Sequence, residues 1–73
     1  MALTLIINGN GRTFDPFPSS PSLLDLIAAL ELKHDRIALE HNGEIVSRTA
    51  WKDILLKEND RIEMVHFVGG GRT

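Results

Sequence analysis

The sequence predicts an α+β domain, in which a mixed β-sheet carries one main helix on one face and is accompanied by a short second helix. Three observations support this class. Apolar and polar residues alternate in several short stretches, one segment between them has apolar residues at helical spacing, and Asn-Gly sequences at two places mark tight turns. Because 73 residues allow only one small core, a single helix covering one face of a sheet is the economical packing.

The first strand and its return are predicted in the N-terminal segment. Apolar residues alternate over residues 3–7, and NGNG follows at residues 8–11. Asn-Gly favours a type I′ hairpin turn, since both central residues of that turn need positive φ. The returning strand is therefore predicted over residues 12–15.

The main helix follows a proline-rich connection, PFPSSPS, at residues 16–22. We expect Ser20 to cap it and Pro21 to occupy its first turn. The helix is expected to end around Lys33 and His34. Its apolar stripe follows the spacing i, i+3, i+4 and i+7 and consists of Leu23, Leu26, Ile27 and Leu30.

The second half of the chain predicts three further strands and a short helix. Strands are expected at residues 36–41, 44–47 and 61–68, with Asn42-Gly43 as the turn between the first two. Between the last two strands, Thr49 is expected to cap a short helical turn that carries Trp51, Ile54 and Leu55, and Asn59-Asp60 to form a turn. Residues 1–68 are thus one domain, and residues 69–73 a flexible glycine-rich tail.

Composition excludes several classes of function. The chain has no cysteine, which excludes a disulfide framework, a cysteine-based zinc site and a thiol nucleophile. Its net charge is −2 and no basic run accompanies its few aromatic residues, so we expect no nucleic-acid partner. No apolar stretch approaches the roughly 18 residues that a membrane span needs, and the N-terminus lacks the pattern of a signal peptide. We expect a cytoplasmic protein without a membrane partner.

The polar residues do not form a recognisable catalytic or metal constellation. The histidines, His34, His41 and His66, are widely spaced and are expected to be structural or on the surface. The acidic residues of the helical region, Asp25, Glu31 and Asp35, are interpreted as a solvated face, and Trp51 as an edge residue of the core. We therefore expect no metal, no bound cofactor and no catalytic residues.

The glycines at residues 69–71 allow two interpretations. Glycine has little steric bulk and much backbone freedom, so the segment could be a frayed end. It could also be a stub that enters a narrow channel in a partner protein. Three extended residues reach about 10 Å, which would carry a terminal carboxylate into a partner's active site.

Three segments, spread over nearly the whole chain, carry a family resemblance. They are LTLIINGNGRTF near the start, EHNGEIVSRTAW in the middle and LKENDRIEMVHFVGGG at residues 56–71. In their order and spacing they resemble the sulfur carrier family of thiamine biosynthesis, ThiS. This resemblance implies the β-grasp, or ubiquitin-like, fold.

The resemblance also implies a protein co-substrate rather than an enzyme. In that family a ubiquitin-activating-like adenylyltransferase uses ATP to adenylate the terminal glycine, which is then converted to a thiocarboxylate with sulfur from a donor protein. A thiazole synthase uses the carried sulfur. By position, Gly71 matches the reactive glycine, Gly70 is its neighbour, and Gly69 belongs to the flexible tail.

Arg72 and Thr73 depart from the family pattern, because neither suits a channel of glycine width. Either they are removed before use, or the chain is not a carrier as it stands. The alternatives left open are a molybdopterin-type sulfur carrier, a ubiquitin-like modifier, and a β-grasp binding module whose tail is never processed.

A partner-binding surface is predicted on the open face of the sheet. In the last strand, Ile62 and Met64 share the core parity, whereas Val65 and Phe67 point to the other face. The apolar residues expected on that face are Val65, Phe67, Ile6 and Ala38, with Phe67 as the first hot-spot candidate. The alternative is that a twist or bulge of the strand partly covers them.

Overall fold

The chain forms a five-stranded mixed sheet with the order β2-β1-β5-β3-β4. The computed structural model describes residues 1–66, except for the side chain of His34. The strands are β1 (Leu3–Ile7), β2 (Asn10–Phe14), β3 (Ile37–His41), β4 (Glu44–Val46) and β5 (Arg61–His66). β1 and β5 pair in parallel, and all other neighbours are antiparallel. The predicted α+β class is confirmed.

The predicted tight turns form at Asn8-Gly9 and at Asn42-Gly43. Asn8 and Gly9 have φ of 50° and 83°, and Asn42 and Gly43 have φ of 50° and 89°. Because the first turn needs only two residues, β2 starts at Asn10 and not at residue 12. The predicted range 12–15 was therefore displaced, and the strand ends at Phe14.

Helix α1 (Leu23–Ala29) begins at Ser22, so the prediction of Ser20 as its cap was wrong. The Ser22 hydroxyl accepts from Asp25 N–H at 3.2 Å, and the Asp25 carboxylate accepts from Ser22 N–H at 2.8 Å. These reciprocal bonds are a capping box, which satisfies amide groups that a helix start leaves unpaired. Pro21 accordingly precedes the helix.

The helix is also shorter than predicted. It ends at Ala29, with Leu30 as its C-terminal cap, and Glu31 adopts φ of 58°, a left-handed conformation that ends a helix. A 3₁₀ turn at His34–Arg36 then leads into β3. Asp25, Glu31 and Asp35 consequently belong to a cap, a helix end and a 3₁₀ turn, and they do not form one solvated helix face.

The short second helix is a 3₁₀ helix at Arg48–Asp53, preceded by Ser47 rather than by Thr49. The chain that follows this 3₁₀ helix runs beside the start of α1. There, Leu23 N–H donates to Ile54 O at 3.0 Å, and Leu56 N–H donates to Pro21 O at 2.8 Å. Trp51 is only 1% exposed, so it lies inside the core and not at its edge.

One apolar core fills the space between the sheet and α1. Its members come from the inward-facing residues of β1, β3 and β5, from the helix stripe and from the connections, and they are Leu3, Leu5, Phe17, Leu23, Leu26, Ile27, Ile37, Leu39, Trp51, Leu56, Ile62 and Met64. Each fully buried leucine or isoleucine contributes about 1.5–3 kcal/mol relative to an exposed one. The predicted helix stripe is confirmed, with Leu30 half-buried.

Candidate docking face and carboxyl-terminal segment

Strand β5 is the central strand of the sheet, and in the sequence it precedes the glycines at residues 69–71. It pairs with β1 on one side and along the full length of β3 on the other. The predicted end of this strand at Val68, and the tail at residues 69–73 with Gly69, Gly70 and Gly71, lie outside the described residues. Their roles therefore stay predictions.

The alternation predicted along β5 is confirmed as far as the strand is described. Ile62 and Met64 are buried at 0% and 8% exposure, whereas Val65 is 63% exposed on the opposite face. Phe67, the first hot-spot candidate, lies outside the described residues. Within residues 61–66 the strand is continuous with β3, so a bulge does not cover Val65.

The open face carries a shallow apolar depression of about 120 Å³. Val65 and Ala38 are direct cross-strand partners in it, and Ile45 from β4 completes its apolar surface. Ile45 is 83% exposed and was missed by the sequence analysis. Its position between Glu44 and Val46 in a three-residue strand gave only a weak alternation signal.

Ile6 does not join this depression. It lies on the same face but is half-buried and pairs with Arg61, at the beginning of β5. Val65 lies four residues further along the strand, which corresponds to about 13 Å. The structure thus brings Val65 and Ala38 together, adds Ile45, and separates Ile6 from them.

The depression has an acidic wall. Glu40 and Glu63 are direct cross-strand partners that line it beside the apolar residues. Like charges placed opposite each other on neighbouring strands are mildly destabilising. The open face therefore combines an apolar centre with local negative charge.

His41 has the structural role that the sequence predicts. Its Nε2 lies 2.8 Å from Oδ2 of Asp60, which joins the β3–β4 turn to the turn before β5. Burial alone would raise the pKa of Asp60, but hydrogen bonds from His41, from Lys57 N–H and from Asn42 together hold the pKa of that carboxyl below its usual value.

The other two histidines lie on two different elements. His66 is exposed at the end of β5, and His34 begins a 3₁₀ turn. Among the described side chains of residues 1–66, which leave out that of His34, no group of three His, Asp or Glu could hold a metal ion. In the same part of the chain, no helix has the length and apolar character needed to cross a membrane.

The sheet order, the single helix across one face and the central last strand define a β-grasp, or ubiquitin-like, domain. The model of the ThiS family matches residues 5–71, which is nearly the whole chain. The chain belongs to the ThiS family.

Relatives of known sequence and structure support this assignment. The sulfur carrier protein ThiS of Bacillus subtilis (strain 168) is 34% identical over 62 residues, covering 85% of this chain and 94% of that protein. The crystal structure of a thiamine biosynthesis protein (ThiS) from Geobacter metallireducens superposes with a TM-score of 0.79 at 31% identity, covering 94% of this chain and 100% of that chain.

Two longer proteins are also similar. A thiazole synthase of Magnetococcus marinus is 39% identical over 51 residues, covering 70% of this chain and 16% of that protein. A thiazole synthase of Paramagnetospirillum magneticum is 32% identical over 69 residues, covering 94% of this chain and 20% of that protein. The chain thus spans about a fifth or less of these two relatives.

Proposed function

We propose that this chain is a sulfur carrier for thiazole formation in thiamine biosynthesis, activated at the carboxylate of Gly71. The observation that supports this proposal most strongly is the match to the ThiS family model, which extends through the glycines and ends at Gly71. Near-full-length similarity to the Bacillus subtilis carrier supports the same assignment. The resemblance inferred from the sequence and these relatives agree on one class of protein.

The chemistry explains why a carrier needs a partner enzyme. A free carboxylate is a poor acyl donor. Attack of the Gly71 carboxylate on the α-phosphate of ATP forms an acyl-adenylate and releases pyrophosphate. Sulfur delivered by a donor protein at the oxidation level of sulfide then attacks the acyl carbon, displaces AMP and leaves a thiocarboxylate on the glycine. The adenylyltransferase supplies the catalytic groups and holds ATP, so the carrier needs no cofactor of its own.

A thiazole synthase is the proposed acceptor of the sulfur. Segments of two thiazole synthases are similar to this chain, which supports a working association between a carrier domain and that enzyme class. We place both reactions in the cytoplasm, as the sequence predicts. Recovery of a molybdopterin synthase subunit instead of thiazole synthase in a pull-down would redirect the assignment to the alternative pathway.

The partner-binding surface is proposed to be the depression formed by Val65, Ala38 and Ile45, together with Phe67. Exposed apolar side chains grouped on an otherwise polar sheet face are typical of a protein interface. One residue of this surface, Val65, lies on β5, the strand that precedes the glycines in the sequence. A partner can therefore hold the domain and the tail at the same time.

Arg72 and Thr73 must be removed in this proposal, because activation needs the carboxylate on Gly71. The experiment is pyrophosphate exchange into ATP by the adenylyltransferase, comparing chains that end at Gly71 and at Thr73. We expect exchange only with the chain that ends at Gly71, and Gly71→Ala in that chain should reduce it strongly. Equal exchange with both chain ends would contradict the role of Gly71.

A second candidate function is an unprocessed β-grasp binding module. It is favoured by one observation, the presence of Arg72 and Thr73 after the glycines. In that case neither chain would support exchange, whereas binding through the open face would persist.

A further inference from the structure

The side chain of Asn8 holds the backbone of Met64 on β5 with two hydrogen bonds. Met64 N–H donates to Asn8 Oδ1 at 2.7 Å, and Asn8 Nδ2 donates to Met64 O at 3.2 Å. The two residues are 56 positions apart in the chain. A turn residue near the N-terminus thus binds the strand that precedes the glycine segment.

These bonds continue the parallel ladder between β1 and β5 after β1 has ended at Ile7. The Asn8 N–H still donates to Ile62 O at 2.9 Å, as a strand residue would. The φ of 50° at Asn8 then turns its backbone into the hairpin, where Asn10 Nδ2 donates to the Asn8 carbonyl at 3.3 Å. The side-chain amide of Asn8 replaces that carbonyl as the acceptor for Met64.

The position of Met64 makes this replacement important. Met64 is only 8% exposed, so water has little access to the residue whose backbone loses its partners if the amide is removed. It is also the last buried residue of β5 before Val65 and the glycine segment. Asn8 therefore holds β5 at its last buried residue, directly before Val65 on the open face of the sheet.

Asn42 provides an internal comparison. It opens the other Asn-Gly turn with the same φ of 50°, and its Oδ1 accepts from Arg61 N–H at 2.8 Å. Both turns thus hold β5 through an asparagine side chain. Asn42 acts at the first residue of β5, whereas Asn8 acts three residues further toward the glycines.

We propose that Asn8 is a positioning residue for activation of the carboxyl terminus. Its amide fixes the register of β5 beside β1. The proposed partner-binding depression around Val65 then keeps one position relative to the residue from which the tail continues. The adenylyltransferase then meets a strand already in its bound arrangement. This inference rests on the proposed function and assigns to Asn8 a task that the hairpin turn alone does not require.

The test compares Asn8→Gly with Asn42→Gly, both in the chain that ends at Gly71. Glycine tolerates positive φ, so each variant removes a side-chain amide without straining its turn. The first measurement is amide hydrogen exchange. Asn8→Gly should accelerate exchange at Met64 by about tenfold or more, because the N–H loses its acceptor, while Asn42→Gly should leave Met64 near wild type.

The second measurement is the kinetics of pyrophosphate exchange with varied carrier concentration. Asn8→Gly should raise KM several-fold, in inverse proportion to the fraction of molecules whose strand keeps the bound arrangement, with little change in kcat. Asn42→Gly should leave KM near wild type. Asn8→Asp keeps an acceptor for Met64 N–H but loses the donor to Met64 O, so its KM should lie between wild type and Asn8→Gly.

Equal KM values for Asn8→Gly and Asn42→Gly would overturn the proposal, and so would an unchanged exchange rate at Met64 in Asn8→Gly. A wild-type chain ending at Gly71 that supports no pyrophosphate exchange would instead defeat the proposed function. In that case hydrogen exchange at Met64 still decides whether Asn8 fixes the strand.

Discussion

His41 and Asp60 join two turns at one end of the sheet, with Nε2 of His41 lying 2.8 Å from Oδ2 of Asp60. The same carboxylate oxygen accepts from Lys57 N–H at 3.0 Å, and Asp60 Oδ1 accepts from Asn42 Nδ2 at 3.2 Å. One side chain thus connects the β3–β4 turn with the loop that enters β5. This end of the central strand is held by charge-assisted hydrogen bonds.

Removing the charge of Asp60 should destabilise the fold in a pH-dependent manner. Asp60→Asn should lower the free energy of unfolding by about 1.5–3 kcal/mol at pH 7, the range for hydrogen bonds to charged groups. Because the pKa of Asp60 is lowered in the folded state, its contribution is present above the unfolded pKa of about 3.9 and is lost as pH falls through the folded pKa.

Urea unfolding at pH 7 and at successively lower pH values checks this expectation. The difference between wild type and Asp60→Asn should shrink in the acid range. Asp35→Asn is the matched control, since Asp35 is 68% exposed in its side chain and its ion pair with Arg36 spans 3.9 Å. A difference that stays constant from neutral to acid pH would contradict the account of Asp60.

The capping box predicts a clear contrast between two nearby serines. Ser22→Ala should cost about 1 kcal/mol in the free energy of unfolding, because Asp25 N–H loses its acceptor at the start of α1. Ser20→Ala, a control two residues earlier, should change stability little. Thermal or urea unfolding measures both, and an equal loss in the two variants would argue against the Ser22 cap.

If the depression on the open face binds the adenylyltransferase, a charge placed there should weaken binding without lowering the stability of the fold. Ile45→Glu should reduce affinity for the adenylyltransferase about tenfold or more, since an exposed apolar contact would be replaced by a charge beside Glu40. Leu55→Glu is the control, because Leu55 is 56% exposed but lies beside Ser22 at the start of the helix. Titration calorimetry of both variants distinguishes the two surfaces.

The outcome for Ile45 also decides which part of the open face binds. Similar affinities for Ile45→Glu and Leu55→Glu would show that the depression is not the docking site. Urea unfolding of both variants should remain near wild type, since each replaced side chain is more than half exposed.

Much of the fold could be predicted because local patterns agree with the packing. The stripe from Leu23 to Ile27 and the positive φ of both Asn-Gly turns follow directly from residue type and spacing. The helix end was harder to predict. Glu31 takes a left-handed conformation without the glycine that usually signals it, so the apolar spacing through Leu30 suggested a longer helix.

The sequence does contain a signal for Ser22 as the N-cap of α1. Several serines precede the helix, but only Ser22 has an acidic residue three positions later, in Asp25, as a capping box requires. The contact between Asn8 and Met64 had no comparable signal. An Asn-Gly pair specifies a turn, whereas the strand that its side chain meets depends on the pairing of distant segments.

The docking face was predicted in part for a related reason. Alternation along β5 placed Val65 on the open face, and the strand parity of β3 did the same for Ala38. Neither pattern reveals which residues become neighbours across the sheet. The separation of Ile6 from the depression and the contribution of Ile45 follow from the strand order, which local periodicity does not specify.

The central claim is tested most directly by the intact mass of the protein purified from its native cells without a carboxyl-terminal tag. Thiol-selective alkylation must accompany the measurement, since oxidation of Met1 or Met64 adds nearly the same mass as exchange of oxygen for sulfur. We predict loss of Arg72 and Thr73, with an alkylated fraction that carries sulfur at Gly71. A mass that always retains Arg72 and Thr73, with no alkylated fraction, would contradict the carrier function.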